Sequence, residues 1–280
     1  MRVLLIGGDG FIGRHLSACL QGAGDIVFLV NRGDDFTAAL DGVDAVVHLA
    51  CETTPGVSAR RPTLEIGNLS LGLKLAEALL DRPGVRLVFL SSGGTVYGDQ
   101  ASSPIAETAP LAPVSFHGAG KAALELFFDI FRREGRPVIN VRPANAYGPQ
   151  QPLRTGFGFI RSLLEHARTG EELVIWGDGE SVRDFVYVDD VANAIFLLLQ
   201  SGQSGNFNVG SGEGHSLNRV LHLARALTGR AIPVRYEPQR SGDVRRVVLD
   251  ITALEGACEW KPKVDLEGGL SRTWESLVRN

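Results

Sequence analysis

The sequence predicts an α/β fold, a doubly wound parallel sheet with a smaller interleaved α/β lobe, on three observations. Short apolar runs alternate with helix-length stretches through the first half, a glycine-rich loop joins the first run to the first helix, and the rhythm changes after about Pro143.

The first apolar run is Val3 to Ile6, and others follow at Ile26 to Val30, Ala45 to Leu49, Leu87 to Leu90 and Val138 to Val141. Each is strand-length, rich in branched side chains and closed by Gly, Asn, Ser or Pro, as parallel strands buried on both faces should be. Helices are expected at Phe11 to Gln21, Leu64 to Leu80 and Ala119 to Arg133, long enough to serve as crossovers. Past Pro143 the elements shorten: a helix near Phe159 to Arg168, strands near Leu173 to Ile175 and Phe185 to Val188, and a helix from Asp189 to Leu199. The expected division is a first domain over residues 1–143 and a second lobe over 144–280, some of whose segments return to the first. Ligands commonly lie between such lobes.

With 280 residues, 44% of them apolar and 21% charged, the chain can bury a full core, and a net charge of -4 supplies no field for nucleic acid or an anionic membrane. Cys19, Cys51 and Cys258 are odd in number and scattered, so neither a disulfide framework nor a metal site is expected, and a reducing cytoplasm fits best. The chain enters its first strand at once, too soon for a signal segment, and no apolar run has the length of a membrane span.

Gly7-Gly8-Asp9-Gly10-Phe11-Ile12-Gly13 follows the first strand and opens the first helix. Backbone N–H groups and the positive helix end can there face a pyrophosphate, and a Cβ would block the approach. This is the dinucleotide loop of a Rossmann-type sheet, with Gly7, Gly10, Phe11, Ile12 and Gly13 against the cofactor. The second strand ends Val30-Asn31-Arg32-Gly33 with no acid to take a ribose hydroxyl. Arg32 beside Asn31 favours a 2'-phosphate and hence NADP(H), while Asp34 and Asp35 keep NAD possible.

Seven segments then carry a resemblance that runs nearly end to end: GGDGFIG at 7–13, VDAVVHLA at 43–50, SSGGTVYG at 91–98, RPANAYGP at 142–149, GDGESVRDFVYVDDVA at 177–192, NVGSGEGHSL at 208–217 and GDVRRVVLD at 242–250. Together they resemble the extended short-chain dehydrogenase/reductase family of nucleotide-sugar epimerases, dehydratases and 4-ketoreductases. The resemblance implies a nucleotide-diphosphate sugar as substrate and Leu49 and Ala50 beside the cofactor. It also suggests a homodimer packed through the helices at Leu64 to Leu80 and Ala119 to Arg133. One departure is length: the second strand passes almost directly into DDFTAALDGVDAV, where the family usually has a further strand.

A larger departure lies in the chemistry. The family pairs Tyr and Lys four residues apart on one helical face, and the matching stretch here is His117-Gly118-Ala119-Gly120-Lys121. Lys121 falls where the family lysine holds the nicotinamide ribose, and His117 stands in place of the phenol. Imidazole can exchange a proton near neutral pH, which makes His117 the candidate acid. The family's third group, a Ser or Thr, aligns with Gly93. Ser92 and Thr95 are the nearby hydroxyls, with Thr95 the better candidate for a sugar C4 oxygen. For the diphosphate the resemblance implies Asn145, Arg183 and Arg240.

The leading expectation is an NADP(H)-dependent reductase of a nucleotide-linked 4-keto-(6-deoxy)sugar, with His117 protonating the alkoxide and Lys121 orienting the ribose. An NAD-dependent C4-epimerase is the alternative, and a catalytically silent NADP(H)-binding protein is a third. Dehydration is disfavoured, because the family's dehydratases carry an Asp-Glu pair where this chain has Gly94-Thr95.

Overall fold

The computed structural model describes residues 1–31, 33–154, 156–239 and 243–279. The first half forms β1 (Arg2–Ile6), α1 (Phe11–Gly22), β2 (Ile26–Val30), β3 (Ala45–His48), α2 (Pro55–Arg60), α3 (Glu65–Leu79), β4 (Arg86–Leu90), α4 (Phe116–Arg133) and β5 (Val138–Pro143). All five expected strands and all three crossover helices are present, with ends shifted by a few residues. Among the described residues no further strand separates β2 from β3, and a 3-10 turn at Ala38–Leu40 lies in the gap, in keeping with the shortened sequence there.

The second half adds β6 (Asn145–Tyr147), α5 (Phe159–Thr169), β7 (Leu173–Trp176), β8 (Val182–Arg183), β9 (Phe185–Tyr187), α6 (Val188–Gln200) and β10 (Gly205–Val209). The chain closes with β11 (His215–Ser216), α7 (Leu217–Thr228), β12 (Val234–Glu237), β13 (Arg246–Val247), α8 (Thr252–Cys258) and α9 (Leu266–Arg279). The main sheet is parallel and six-stranded in the order β10-β5-β4-β3-β1-β2. Its sixth strand comes from the second half, and Phe207 pairs with Val141 in register. A separate apolar cluster, including Leu163, Ile175, Phe185, Tyr187 and Leu221, forms the core of the smaller lobe. Among the described residues no helix is long and apolar enough to cross a membrane.

A buried polar network ties several of the motif segments together mechanically. Arg142 on β5 reaches Glu125 on α4 at 2.6 Å, and both side chains are almost fully enclosed. Ser91 donates to the same carboxylate, Arg142 also donates to the Tyr97 hydroxyl at 2.8 Å, and Tyr97 donates to Asn208 at 2.7 Å. Burial pushes the Tyr97 phenol up to about 12, against the pull of Arg142. The tyrosine of the VYG stretch is therefore a neutral strut, and its neighbours β4, β5 and α4 are fixed relative to one another.

His48 on β3 is buried between Phe89 and Phe128, and neither ring nitrogen has a hydrogen-bond partner among the described residues. Burial, then the Lys121 charge, lowers its pKa to about 3. The unfolded chain binds a proton at this ring near pH 6.5. Between those values the unfolded state holds the extra proton, so stability is lost as pH falls, by about 1.4 kcal/mol per pH unit. Replacing His48 with Leu should flatten that part of the profile; denaturation midpoints at pH 6, 5 and 4 that fall in parallel for both proteins would contradict this.

Candidate functional site

The loop between β1 and α1 is shaped by its glycines. Gly7 has a left-handed φ of +85°, and a Cβ there would lie 2.8 Å from the Ala50 backbone; a Cβ at Gly13 would lie 2.5 Å from the Gly8 carbonyl oxygen. A side chain at either place would push the loop away from the sheet. Gly10 caps α1 without a side chain, and no acid stands in the first turn, so the helix presents bare N–H groups suited to an anion.

That loop opens on a cavity of about 580 Å³ that continues across the sheet ends to the second lobe. Gly7, Gly10, Phe11, Ile12, Gly13, Asn31, Leu49, Ala50 and Lys121, all expected against a dinucleotide, line it. So do His117, Ser92, Thr95 and Asn145, which the sequence assigned to chemistry and substrate. The residues present thus fit an extended dinucleotide: a Cβ-free cradle at one end, apolar walls along the strand ends, and a lysine at the other.

Two of the expected residues, Arg32 and Arg240, lie outside the described residues. Asp34 accepts from the Asn31 backbone N–H at 3.2 Å and Asp35 from that of Thr37 at 2.9 Å, so both serve the turn itself. Arg183 lies away from the cavity lining: its guanidinium donates to the carbonyls of Val182 and Arg245, and burial lowers its pKa despite nearby Asp243. Its neighbour Asp184 is a structural acceptor for the backbone and hydroxyl of Ser211 and for the Leu249 N–H. Phe157 and Phe159 line the lobe end, and Trp176 does not.

His117 sits in the first turn of α4, where the Ser115 side chain accepts from the Gly118 N–H and starts the helix. A Cβ at Gly118 would lie 2.4 Å from the Thr95 carbonyl oxygen, so glycine there lets α4 lie against the Thr95 backbone. One turn on, Lys121 donates to the Leu90 carbonyl at 2.7 Å with its ammonium over the Phe89 ring. The helical spacing places both side chains in one buried wall of the cavity. Thr95 Oγ1 is buried and has no hydrogen-bond partner among the described residues, a hydroxyl available to a ligand. Gly93, where the family carries a hydroxyl, has no room for one: a Cβ would lie 2.5 Å from Leu249 and 2.9 Å from the Arg142 carbonyl oxygen.

Four groups were not assigned to the site from the sequence. Thr53 approaches His117 Nδ1 at 3.0 Å, and the Glu65 carboxylate lies 4.0 Å from the same nitrogen. Cys51 lines the cavity beside them; burial works to raise its thiol pKa, but Lys121, His117 and Thr53 outweigh this and bring it down to about 6. Arg154, exposed at the lobe end, is the cation that joins Lys121 among the described lining residues. None of these belongs to a recognisable motif; only their distance in space to His117 or the cavity marks them.

The profile of the NAD dependent epimerase/dehydratase family matches residues 3–210. A UDP-glucose 4-epimerase of Mycolicibacterium smegmatis is 32% identical over 98% of both chains. The structure of a Thermus thermophilus UDP-glucose 4-epimerase in complex with NAD superposes with a TM-score of 0.92 at 32% identity, covering 99% of each chain. That of a Thermotoga maritima UDP-glucose 4-epimerase with UDP-glucose gives 0.93 at 33% identity, covering 100% of this chain and 99% of the other.

Proposed function

Because the chain belongs to the NAD dependent epimerase/dehydratase family, we propose that it is a 4-epimerase of a UDP-linked sugar that works with NAD. The observation that carries this reading is the single cavity joining the glycine cradle to His117, Lys121 and the free Thr95 hydroxyl. The similar structures hold NAD or UDP-glucose. The NADP(H) preference, and with it the 4-ketoreductase reading, has less behind it, since it rests chiefly on Arg32, which lies outside the described residues.

NAD, when bound, supplies a hydride acceptor that takes the C4 hydrogen and gives it back. Lys121 fixes the ribose and places a positive charge beside the reacting oxygen. His117 takes the C4 hydroxyl proton on the way out and returns it to the C4 oxygen on the way back, while Thr95 donates to that oxygen and orients it. An imidazole is suited to this double role because it holds and releases a proton near neutrality. Incubating the protein and NAD with UDP-glucose, UDP-galactose and their N-acetylated forms, followed by proton NMR of the anomeric signals, tests the assignment. Interconversion of one pair is expected, and no change in any of them would remove it.

At the lobe end we assign the diphosphate to Arg154, with Asn145 beside it; Asn145 Nδ2 donates to the Asp184 carbonyl at 2.9 Å, so both it and Arg183 would have to leave backbone carbonyls to reach a phosphate. Arg154→Ala should weaken UDP binding by about 10- to 100-fold, the loss of a charge-assisted contact. Arg183→Ala should weaken it less. Calorimetry giving the reverse order would return the diphosphate to Arg183. Ile66, Leu73 and Leu80 on and just beyond α3, with Leu126 and Ile130 on α4, expose apolar side chains that a second copy would cover, consistent with a homodimer.

A further inference from the structure

We propose that Glu65 is a positioning residue for His117: its carboxylate, relayed through Thr53, orients the ring and favours its protonated form. The proposal rests on the reading of His117 as the proton-exchanging group. Glu65 opens α3, where the positive helix end favours an anion, and it is buried at 8% exposure. Asn68, one turn on, donates to Glu65 Oε2 at 2.9 Å and to Thr53 Oγ1 at 3.0 Å. Thr53 Oγ1 in turn stands 3.0 Å from His117 Nδ1. Among the described residues no hydrogen bond reaches the buried Glu65 Oε1, which lies 4.0 Å from that same nitrogen.

The arrangement is held open by Gly120. A Cβ there would lie 2.7 Å from Glu65 Oε2, so any larger residue on this turn of α4 would displace the carboxylate. Burial works to raise the Glu65 pKa, but Thr53, Asn68, Ser58 and the His117 ring outweigh it, and the group stays ionised.

The chemistry follows from counting protons. Thr53 Oγ1 already accepts from Asn68 and has one proton of its own to give. That proton can turn to the Glu65 carboxylate, while the second lone pair of Oγ1 accepts from Nδ1–H of the ring. The neutral ring then has Nε2 as its basic nitrogen, and in the imidazolium Nε2 carries the second proton while the Glu65 carboxylate offsets the charge. In both states Nε2 is left as the nitrogen that exchanges a proton with a ligand. The titratable groups around the ring are Glu65 from α3, Cys51 from the loop after β3, and Lys121 from α4 itself. Of these, Lys121 opposes the imidazolium, while Glu65 and the ionised Cys51 thiol support it. A family phenol needs no such anion, because it must be charged in the opposite sense.

The test is NMR of the protein labelled at histidine Cε1, with the His117 signal identified from His117→Phe. Glu65→Gln keeps an acceptor for Asn68 but loses the charge. It should shift the His117 titration midpoint down by about one pH unit or more, given a full charge 4.0 Å away, and Glu65→Asp should restore part of the shift. The single-turnover rate of NADH formation from UDP-sugar should follow the same displacement along the pH axis. Thr53→Val, which removes only the hydroxyl, should alter the ring's tautomer balance and guards against a Glu65 variant that fails to fold. A midpoint unmoved by Glu65→Gln, or a tautomer unmoved by Thr53→Val, overturns the proposal. A moved midpoint with pH-independent turnover leaves the relay standing and removes His117 from the reaction instead.

Discussion

Replacing His117 with Phe is expected to slow the hydride-transfer step by about 10²-fold or more, the usual cost of a lost general acid or base, while NAD affinity changes little. The ring lines the cavity one helical turn before Lys121, and Thr53 holds its Nδ1. Phenylalanine fills the same volume without a proton to move, so the folded state and the glycine cradle should be unaffected. In stopped-flow measurements with NAD and a UDP-sugar, the absorbance of NADH should therefore rise much more slowly at unchanged cofactor affinity. His117→Tyr should keep much of the activity and need a higher pH for the oxidation half-reaction, since a phenol releases its proton less readily than imidazolium. A Phe variant as fast as the parent would make His117 a bystander and shift the proton to water or Thr95.

Replacing Arg142 with Met is expected to destabilise the protein by about 3–5 kcal/mol, the range for a buried ion pair stripped of one partner. Glu125 is almost wholly enclosed and would keep only the Ser91 hydroxyl against its charge. Tyr97 would lose a donor and a cation over its ring at the same time. The double replacement Arg142→Met with Glu125→Leu should recover much of the loss, because no charge is then left buried alone. Denaturant titration reads both effects, and a single variant within about 1 kcal/mol of the parent would show that Glu125 finds another partner or water. Since the network pins β4, β5 and α4 together, the single variant should also loosen Lys121 and raise the concentration of NAD needed for saturation.

The alternation of apolar runs made the sheet legible because strands buried on both faces leave an unbroken branched-residue signature, as Val3 to Ile6 and Val138 to Val141 do. The sixth strand was harder. Gly205-Asn206-Phe207-Asn208-Val209 alternates polar and apolar residues because its asparagines serve neighbours: Asn206 accepts from Arg132 and Asn140, and Asn208 accepts from Tyr97 while donating to the Ile105 carbonyl. A pattern set by tertiary hydrogen bonds does not read as a buried strand. By contrast, the glycine-loop half of the cavity follows a local motif, so the residues that line it could be named from the sequence. Glu65, Thr53 and Cys51 come from separate segments, α3 and the loop after β3, and meet His117 only once the chain has folded. Arg183 is the converse case, a motif residue visible in the sequence whose guanidinium donates to backbone carbonyls in the folded chain.

The most direct test of the account supplies the protein and NAD with UDP-glucose deuterated at C4 and follows the label into UDP-galactose. Hydride transfer out and back within one cavity predicts that the product keeps the deuterium at C4, with no exchange into water and no net accumulation of NADH. Loss of the label to solvent, or a product formed only at the expense of added NADPH, would contradict a 4-epimerase that keeps its own hydride.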